Sequence, residues 1–140
     1  MLNQVDFPLT NSQISEFILD KGYTTYFKLQ QALSELLESG FIREESTHHR
    51  TFYHLTEDGA ETIHYFTNDI SPAIQHDIDE FLKEKHYELK NEMSVKADYF
   101  ENSNMEYSVR CQVIEQGLPL IDLTVTAPTE SEAATIANNW

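Results

Sequence analysis

The chain has 140 residues, and 9 Lys and Arg stand against 24 Asp and Glu, so its formal net charge is −15. This length allows one domain or two small ones, and an apolar fraction of 40% is enough to form a core. A surface this negative repels phosphate backbones and anionic lipids at long range, which argues against nonspecific binding to nucleic acids or membranes. It does not exclude a local binding site.

Cysteine usage and hydropathy indicate the compartment. Cys111 is the sole cysteine of the chain, which excludes an intramolecular disulfide framework. No apolar run approaches the ~20 residues that span a bilayer, and the chain does not open with a basic segment followed by an apolar one. We therefore expect a cytoplasmic protein without a membrane segment.

Residues 1–68 are expected to form one domain that begins with two helices. A capping run at Thr10 precedes apolar residues at helical spacing, and this predicts a first helix that ends at Gly22. After a short break, a second helix is expected to end at Gly40 with one apolar face. That face consists of Tyr26, Leu29, Leu33, Leu36 and Leu37.

A hairpin and a third helix complete this half. Residues 41–44 and 51–55 are β-prone runs joined by a polar stretch, which is typical of an antiparallel hairpin with an exposed tip. Thr56 is expected to cap a helix that continues to about Phe66, with Ile63 and Phe66 pointing inward.

Residues 69–140 read as a small α+β domain. Ser71 and Pro72 open an amphipathic helix that is expected to end near His86. Three alternating runs, at 94–99, 107–113 and 121–126, then predict a three-stranded antiparallel meander with one buried face. A last helix beginning at residues 128–129 is expected to cover that face.

The order of elements in residues 1–68 is that of a winged helix-turn-helix. The segment Leu33–Ile42 resembles the end of the recognition helix in the multiple-antibiotic-resistance and phenolic-acid-repressor-like regulators, and Thr56–Gly59 resembles the cap of their next helix. The expected fold class is therefore α+β, with a winged helix-turn-helix followed by a helix, a three-stranded antiparallel meander and a terminal helix.

A closer resemblance covers nearly the whole chain. The runs Asp6–Asn11, Tyr53–Thr56, Ile70–Pro72 and Asp122–Val125 resemble an uncharacterised bacterial family catalogued as a domain of unknown function. Its members pair a winged helix with a small α+β domain and carry further helices at both ends. The resemblance implies this fold and a role in gene regulation. It also implies that one wall of the winged-helix core is missing, trimmed or supplied by a second copy.

Reading DNA would place the second helix in a major groove and the hairpin tip against phosphates or the minor groove. Thr and Gln hydrogen-bond base edges, while Lys binds guanine or phosphate. The alternative is an ordinary solvated helix face and polar turn, and Glu35 favours it because a carboxylate there repels phosphate. The candidate DNA-binding residues are Thr24, Thr25, Lys28 and Gln31 on the helix and His48, His49 and Arg50 at the hairpin tip.

Catalytic and metal-binding patterns are weak. His48, His49, His54 and His64 match no metal-ligand spacing, and neighbouring hairpin residues point to opposite faces. Cys111 falls on the inward phase of its strand, which favours a buried structural thiol. The chain has no Gly-rich phosphate loop, and its acids lie mostly at positions expected to be exposed. We expect neither an enzyme nor a cofactor.

Three functions stay open. The leading hypothesis is a cytoplasmic transcriptional regulator that binds double-stranded DNA as a homodimer, with the dimer built through residues after 66. The first alternative is a winged-helix protein–protein interaction module that does not bind DNA. The second is a small-ligand sensor, although no residue pattern indicates an effector.

Overall fold

The computed structural model describes all 140 residues, with the backbone alone at residue 93. The fold is α+β, with six α-helices and two three-stranded antiparallel sheets. The chain divides into two compact units. The first comprises Met1–Ser46 and Arg50–Leu89, and the second comprises Thr47–His49 and Lys90–Trp140.

The first sheet has the order β1-β3-β2, with Leu9 paired to Tyr53 and Ile42 paired to Leu55. Short 3-10 turns cover Leu2–Gln4 and Thr67–Asp69. The first half of the chain contains β1 (Leu9–Thr10), α1 (Asn11–Asp20), α2 (Tyr26–Glu38), β2 (Ile42–Ser46), β3 (Thr51–Leu55) and α3 (Glu57–Phe66). The second half contains α4 (Pro72–Glu84), α5 (His86–Ser94), β4 (Val95–Glu101), β5 (Tyr107–Glu115), β6 (Leu118–Ala127) and α6 (Glu130–Asn139).

Local signals explain where the first helices begin and end. Thr10 and Gln13 form a capping box, in which each side chain accepts a hydrogen bond from the other residue's backbone N–H. After α2, Gly40 takes a φ of +73°, a left-handed conformation that favours glycine and turns the chain into β2.

The core of the first unit extends beyond the predicted domain boundary. Phe17, Leu29 and Leu33 of α1 and α2 are buried in one cluster with Ile78 and Leu82 of α4. The boundary predicted after residue 68 therefore differs from the division by contacts, because α4 packs into the core of the first unit.

The second unit contains the antiparallel meander β4-β5-β6, followed by α6. Small residues of α6, Ala133 and Ala137, are buried in one cluster with Val109 and Cys111 of β5. The predicted burial of Cys111 is confirmed, since 1% of its surface is exposed.

Three details differ from the sequence-based expectation. A single helix ending near His86 was expected, but the chain leaves helical geometry at Lys85 and a further helix, α5, follows. The two-residue strand β1, which begins at Leu9, was not predicted because it is too short for an alternating pattern. The third difference lies in β6: Ile121, Leu123 and Val125 were expected to be covered by α6, yet they are 44%, 38% and 39% exposed.

None of the helices in the described part of the chain is both long and apolar enough to cross a lipid bilayer.

Candidate nucleic-acid interface

The amino end of α2 gathers four of the candidate residues. Thr25 is the N-cap, one position before the first turn, and its hydroxyl accepts a hydrogen bond from the backbone N–H of Lys28 at 3.4 Å. Thr24 is half-buried, while Thr25, Lys28 and Gln31 are exposed. No ion pair of Lys28 is present among the described side chains, so its ammonium group faces solvent.

The buried stripe of α2 is narrower than the sequence pattern predicts. Leu29 and Leu33 are buried, but Tyr26 and Leu36 are 52% and 39% exposed. Phe27 is 83% exposed and directly precedes Lys28, and the sequence reasoning missed it as a candidate. Because Phe27 lies outside the predicted apolar face of α2, its exposure could have been predicted from the sequence. An exposed aromatic ring at this end of a helix offers an apolar contact to a thymine methyl group.

A polar network fastens α2 to α1 and to the sheet. The Asn11 side-chain amide donates to Gln30 Oε1 at 2.8 Å, and the Gln30 amide donates back to Asn11 Oδ1 at 3.0 Å. Asn11 Nδ2 also donates to the Tyr53 hydroxyl at 3.0 Å, and the Ser15 hydroxyl donates to Asn11 Oδ1 at 2.9 Å. These partly buried bonds define how α2 lies against α1 and β3.

The carboxyl end of α2 is anchored through the start of α3. The Thr56 hydroxyl donates to the Gly40 carbonyl at 2.7 Å and accepts the N–H of Gly59 at 3.0 Å. Gly59 of α3 lies against the backbone of Phe41, which follows α2. A Cβ atom at position 59 would stand 2.0 Å from the Phe41 carbonyl oxygen. Both ends of α2 are therefore held by specific contacts.

Carboxylates lie near the same elements. Gln31 Nε2 donates to Glu35 Oε1 at 3.1 Å, one turn further along α2. On β2, Glu44 and Glu45 are exposed, and the Glu45 carboxylate lies 3.1 Å from His54 Nε2. The candidate interface therefore combines the cation of Lys28 with acids that repel phosphate.

The hairpin loop Thr47–His49 belongs to the second unit. The His48 ring stacks on Tyr99 with centroids 3.9 Å apart, its backbone N–H donates to Asp98 Oδ1 at 3.2 Å, and its Nδ1 contacts the same oxygen. Partial burial opposes ionisation of Asp98, but the hydrogen bonds from His48 and Tyr99 outweigh it and hold the pKa of this carboxyl below its usual value.

The structure thus groups some of the predicted site residues and separates others. Thr24, Thr25, Lys28 and Gln31 lie together at the start of α2 in the first unit. His48 and His49 belong to the second unit, where the His49 ring centroid lies 6.5 Å from that of Tyr99. Arg50 is exposed and belongs to the first unit.

An apolar cavity of about 360 Å³ lies behind α2 in the first unit. Its walls include Leu33 and Leu36 of α2, Ile63 and Phe66 of α3, and Ile14 of α1. Phe66 was expected to point inward, but it is 56% exposed. The described lining has no Asp, Glu, His, Lys or Arg side chain.

Other reactive groups are sparse in the described residues. No cluster of three or more His, Cys, Asp or Glu side chains there is arranged to hold a metal ion. Burial raises the pKa of the Cys111 thiol, which favours its protonated form.

The family of the chain is shown by its sequence. The family described as "Domain of unknown function (DUF4364)" matches residues 1–140, and the chain belongs to it. This confirms the expectation of a domain-of-unknown-function family. No curated protein and no solved structure matches the chain. Its function therefore has to be argued from the residues of the site.

Proposed function

We propose that the first unit is a winged helix-turn-helix of the bacterial regulator type and that the protein is a DNA-binding transcriptional regulator. In this assignment α1 and α2 are the helix-turn-helix, and the β2–β3 hairpin is the wing. The observation that carries the proposal is the exposed polar start of α2, with Lys28 facing solvent, on a helix that the Asn11–Gln30 bonds fasten to α1.

The candidate side chains at the start of α2 have chemistries suited to DNA. Lys28 binds a phosphate or a guanine, Gln31 suits an adenine edge, and Thr24 and Thr25 hydrogen-bond either backbone or bases. Phe27 adds contact with a thymine methyl group. Gln31 has to exchange its bond with Glu35 for a bond to the base.

On the wing, we assign phosphate contacts to His49 and Arg50. His48 is already engaged by Asp98 and Tyr99, so its role is to hold the loop. An imidazole N–H and a guanidinium suit phosphate oxygens or a narrow minor groove.

The net charge of −15 shapes how such a protein binds. Long-range repulsion from the duplex lowers affinity for arbitrary sequence, because only a few cations contact phosphates. Binding should therefore depend on base contacts more than in a basic regulator. This function places the protein in the cytoplasm, where it acts without catalysis or a cofactor.

Charge reversal on α2 tests the proposal. The duplex that the full chain enriches from a random-sequence pool is labelled, and its binding is measured by fluorescence anisotropy as salt is varied, for the unchanged protein, Lys28→Glu and the control Lys83→Glu. Lys83 is an exposed cation on α4. We expect salt-dependent binding that Lys28→Glu abolishes and Lys83→Glu preserves. Absence of binding at low salt by the folded protein, or equal losses in both variants, would overturn the proposal.

A protein-interaction module is the second candidate, and the acids favour it. Glu35, Glu44 and Glu45 present carboxylates on α2 and the wing, which suits a basic protein segment. Glu44→Lys separates the two functions. It strengthens binding to DNA if the wing contacts phosphates, and it weakens binding to a Lys-rich peptide if the partner is a basic protein.

A further inference from the structure

The edge strand β6 carries an apolar stripe that its own unit leaves open. Ile121, Leu123 and Val125 pair with Val113, Cys111 and Val109 of β5, so they lie on the face that α6 packs against. Cys111 and Val109 are 1% and 0% exposed, whereas the three β6 side chains are 38–44% exposed. The cover that α6 gives to β5 therefore leaves residues 121–125 of β6 open, while Ala127 at the end of the strand is buried.

The outer backbone edge of β6 is also open. β6 is the last strand in the order β4-β5-β6, and no other strand of the described chain pairs with it. Natural edge strands are usually guarded by charged side chains, prolines or bulges. In β6, Pro119 stands near the start, and the following stretch 120–126 is a free row of hydrogen-bonding groups.

Charge on β6 is already neutralised within the unit. Asp122 is the one charged residue of the strand, and Arg110 donates to its two carboxylate oxygens at 3.0 and 2.7 Å. Gln112 donates a further bond to it at 3.1 Å. Two copies of a chain with net charge −15 can therefore approach along this strand without a direct clash of carboxylates.

We propose that β6 pairs antiparallel with β6 of a second copy and joins the two meanders into one six-stranded sheet. The strand pattern is self-complementary in a register centred on Leu123. Leu123 then faces its own copy, Ile121 faces Val125, and Asp122 faces Thr124. Apolar side chains meet apolar ones on the α6 face, and a carboxylate meets a hydroxyl on the other face. A dimer of this kind does not depend on DNA binding.

Single cysteines in the full chain test both the interface and its register. Residues directly opposite in an antiparallel pair lie close enough for a disulfide, so Leu123→Cys forms a disulfide-linked dimer on mild oxidation. In the matched control Ile121→Cys, on the same face, the two sulfurs lie about 14 Å apart along the strand and do not join. Both variants carry Cys111→Ala, because Cys111 of β5 lies directly opposite position 123 and would otherwise form an intramolecular disulfide with the new thiol.

Sedimentation equilibrium of the reduced protein supplies a second measurement. We expect a dimer whose dissociation constant rises at least tenfold in Leu123→Lys, because two ammonium groups then face each other at the centre of the pair. The control is Met105→Lys, which also replaces an exposed apolar side chain with a cation. It should leave the dissociation constant of the dimer unchanged. A monomer at high concentration, a dimer that Leu123→Lys leaves intact, or equal cross-linking of the two cysteine variants would each overturn the proposal.

Discussion

Asn11 and Gln30 exchange two side-chain hydrogen bonds, of 2.8 and 3.0 Å, between α1 and α2. The two amides are complementary, since each donates through its NH₂ group and accepts through its carbonyl. This pair gives α2 a defined position against α1. The proposed reading surface at the amino end of α2 therefore depends on a contact made by two residues that are not part of that surface.

A double-mutant cycle at this pair is expected to show coupling. Asn11→Ala and Gln30→Ala should each lower the free energy of unfolding by about 1–3 kcal/mol, because each leaves a partly buried polar partner unpaired. The double variant should lose less than the sum, with a coupling of about 0.5–3 kcal/mol. Urea unfolding followed by circular dichroism measures all four proteins. Strict additivity would contradict the account.

Gly59→Ala is expected to destabilise the first unit by about 1–3 kcal/mol, because the new methyl group collides with backbone. The clash is with the Phe41 carbonyl oxygen, 2.0 Å from the Cβ position, and Leu55 Cδ1 lies 2.9 Å away. The control is Glu61→Ala, at an exposed position of the same helix, which should change stability by less than about 0.5 kcal/mol. Thermal unfolding compares the two, and equal midpoints would refute the steric explanation.

Asp98 is expected to make stability depend on pH in the acidic range. Its carboxyl has a lowered pKa in the folded state, so between the folded and unfolded values the unfolded chain binds more protons and stability rises with pH. The contribution is complete above the ordinary value of 3.8 and disappears as pH falls through the folded value.

Asp98→Asn removes this titration. The stability difference between the unchanged protein and Asp98→Asn should shrink as pH falls below about 4. Asp69→Asn, at an exposed carboxylate, controls for the loss of one charge. A difference that grows as pH falls would show that the Asp98–His48 contact does not stabilise the folded chain.

Periodicity and caps predicted most of the elements. Helices α1 to α4 and α6, the hairpin and the three-stranded meander follow from patterns that local physics imposes, such as the alternation in β5 and the cap at Thr56. The helix α5 was missed because Leu89 is its one buried apolar side chain among the described residues, and a single residue has no period.

Tertiary cover could not be predicted in the same way. Alternation places Leu123 on the inward phase of β6, but whether it is buried depends on where α6 lies across the sheet. Likewise, the leucine spacing of α2 includes Tyr26 in the apolar face, although only a narrower stripe is covered. At the site, the hydrogen bond from His48 to Asp98 joins residues 50 positions apart. Local sequence patterns cannot predict a contact between residues so far apart in the chain.

Selection of binding sequences from a pool of randomised duplexes tests most directly that α2 reads DNA. The full chain and its Gln31→Ala variant are taken through the same rounds, with Gln75→Ala on α4 as control. We expect an enriched motif in which Gln31→Ala relaxes the preference at one position, by about 1–3 kcal/mol, while the other positions are preserved. The control variant should select the unchanged motif. Recovery of no motif, or of the same motif with Gln31→Ala, would contradict the assignment of α2 as the reading helix.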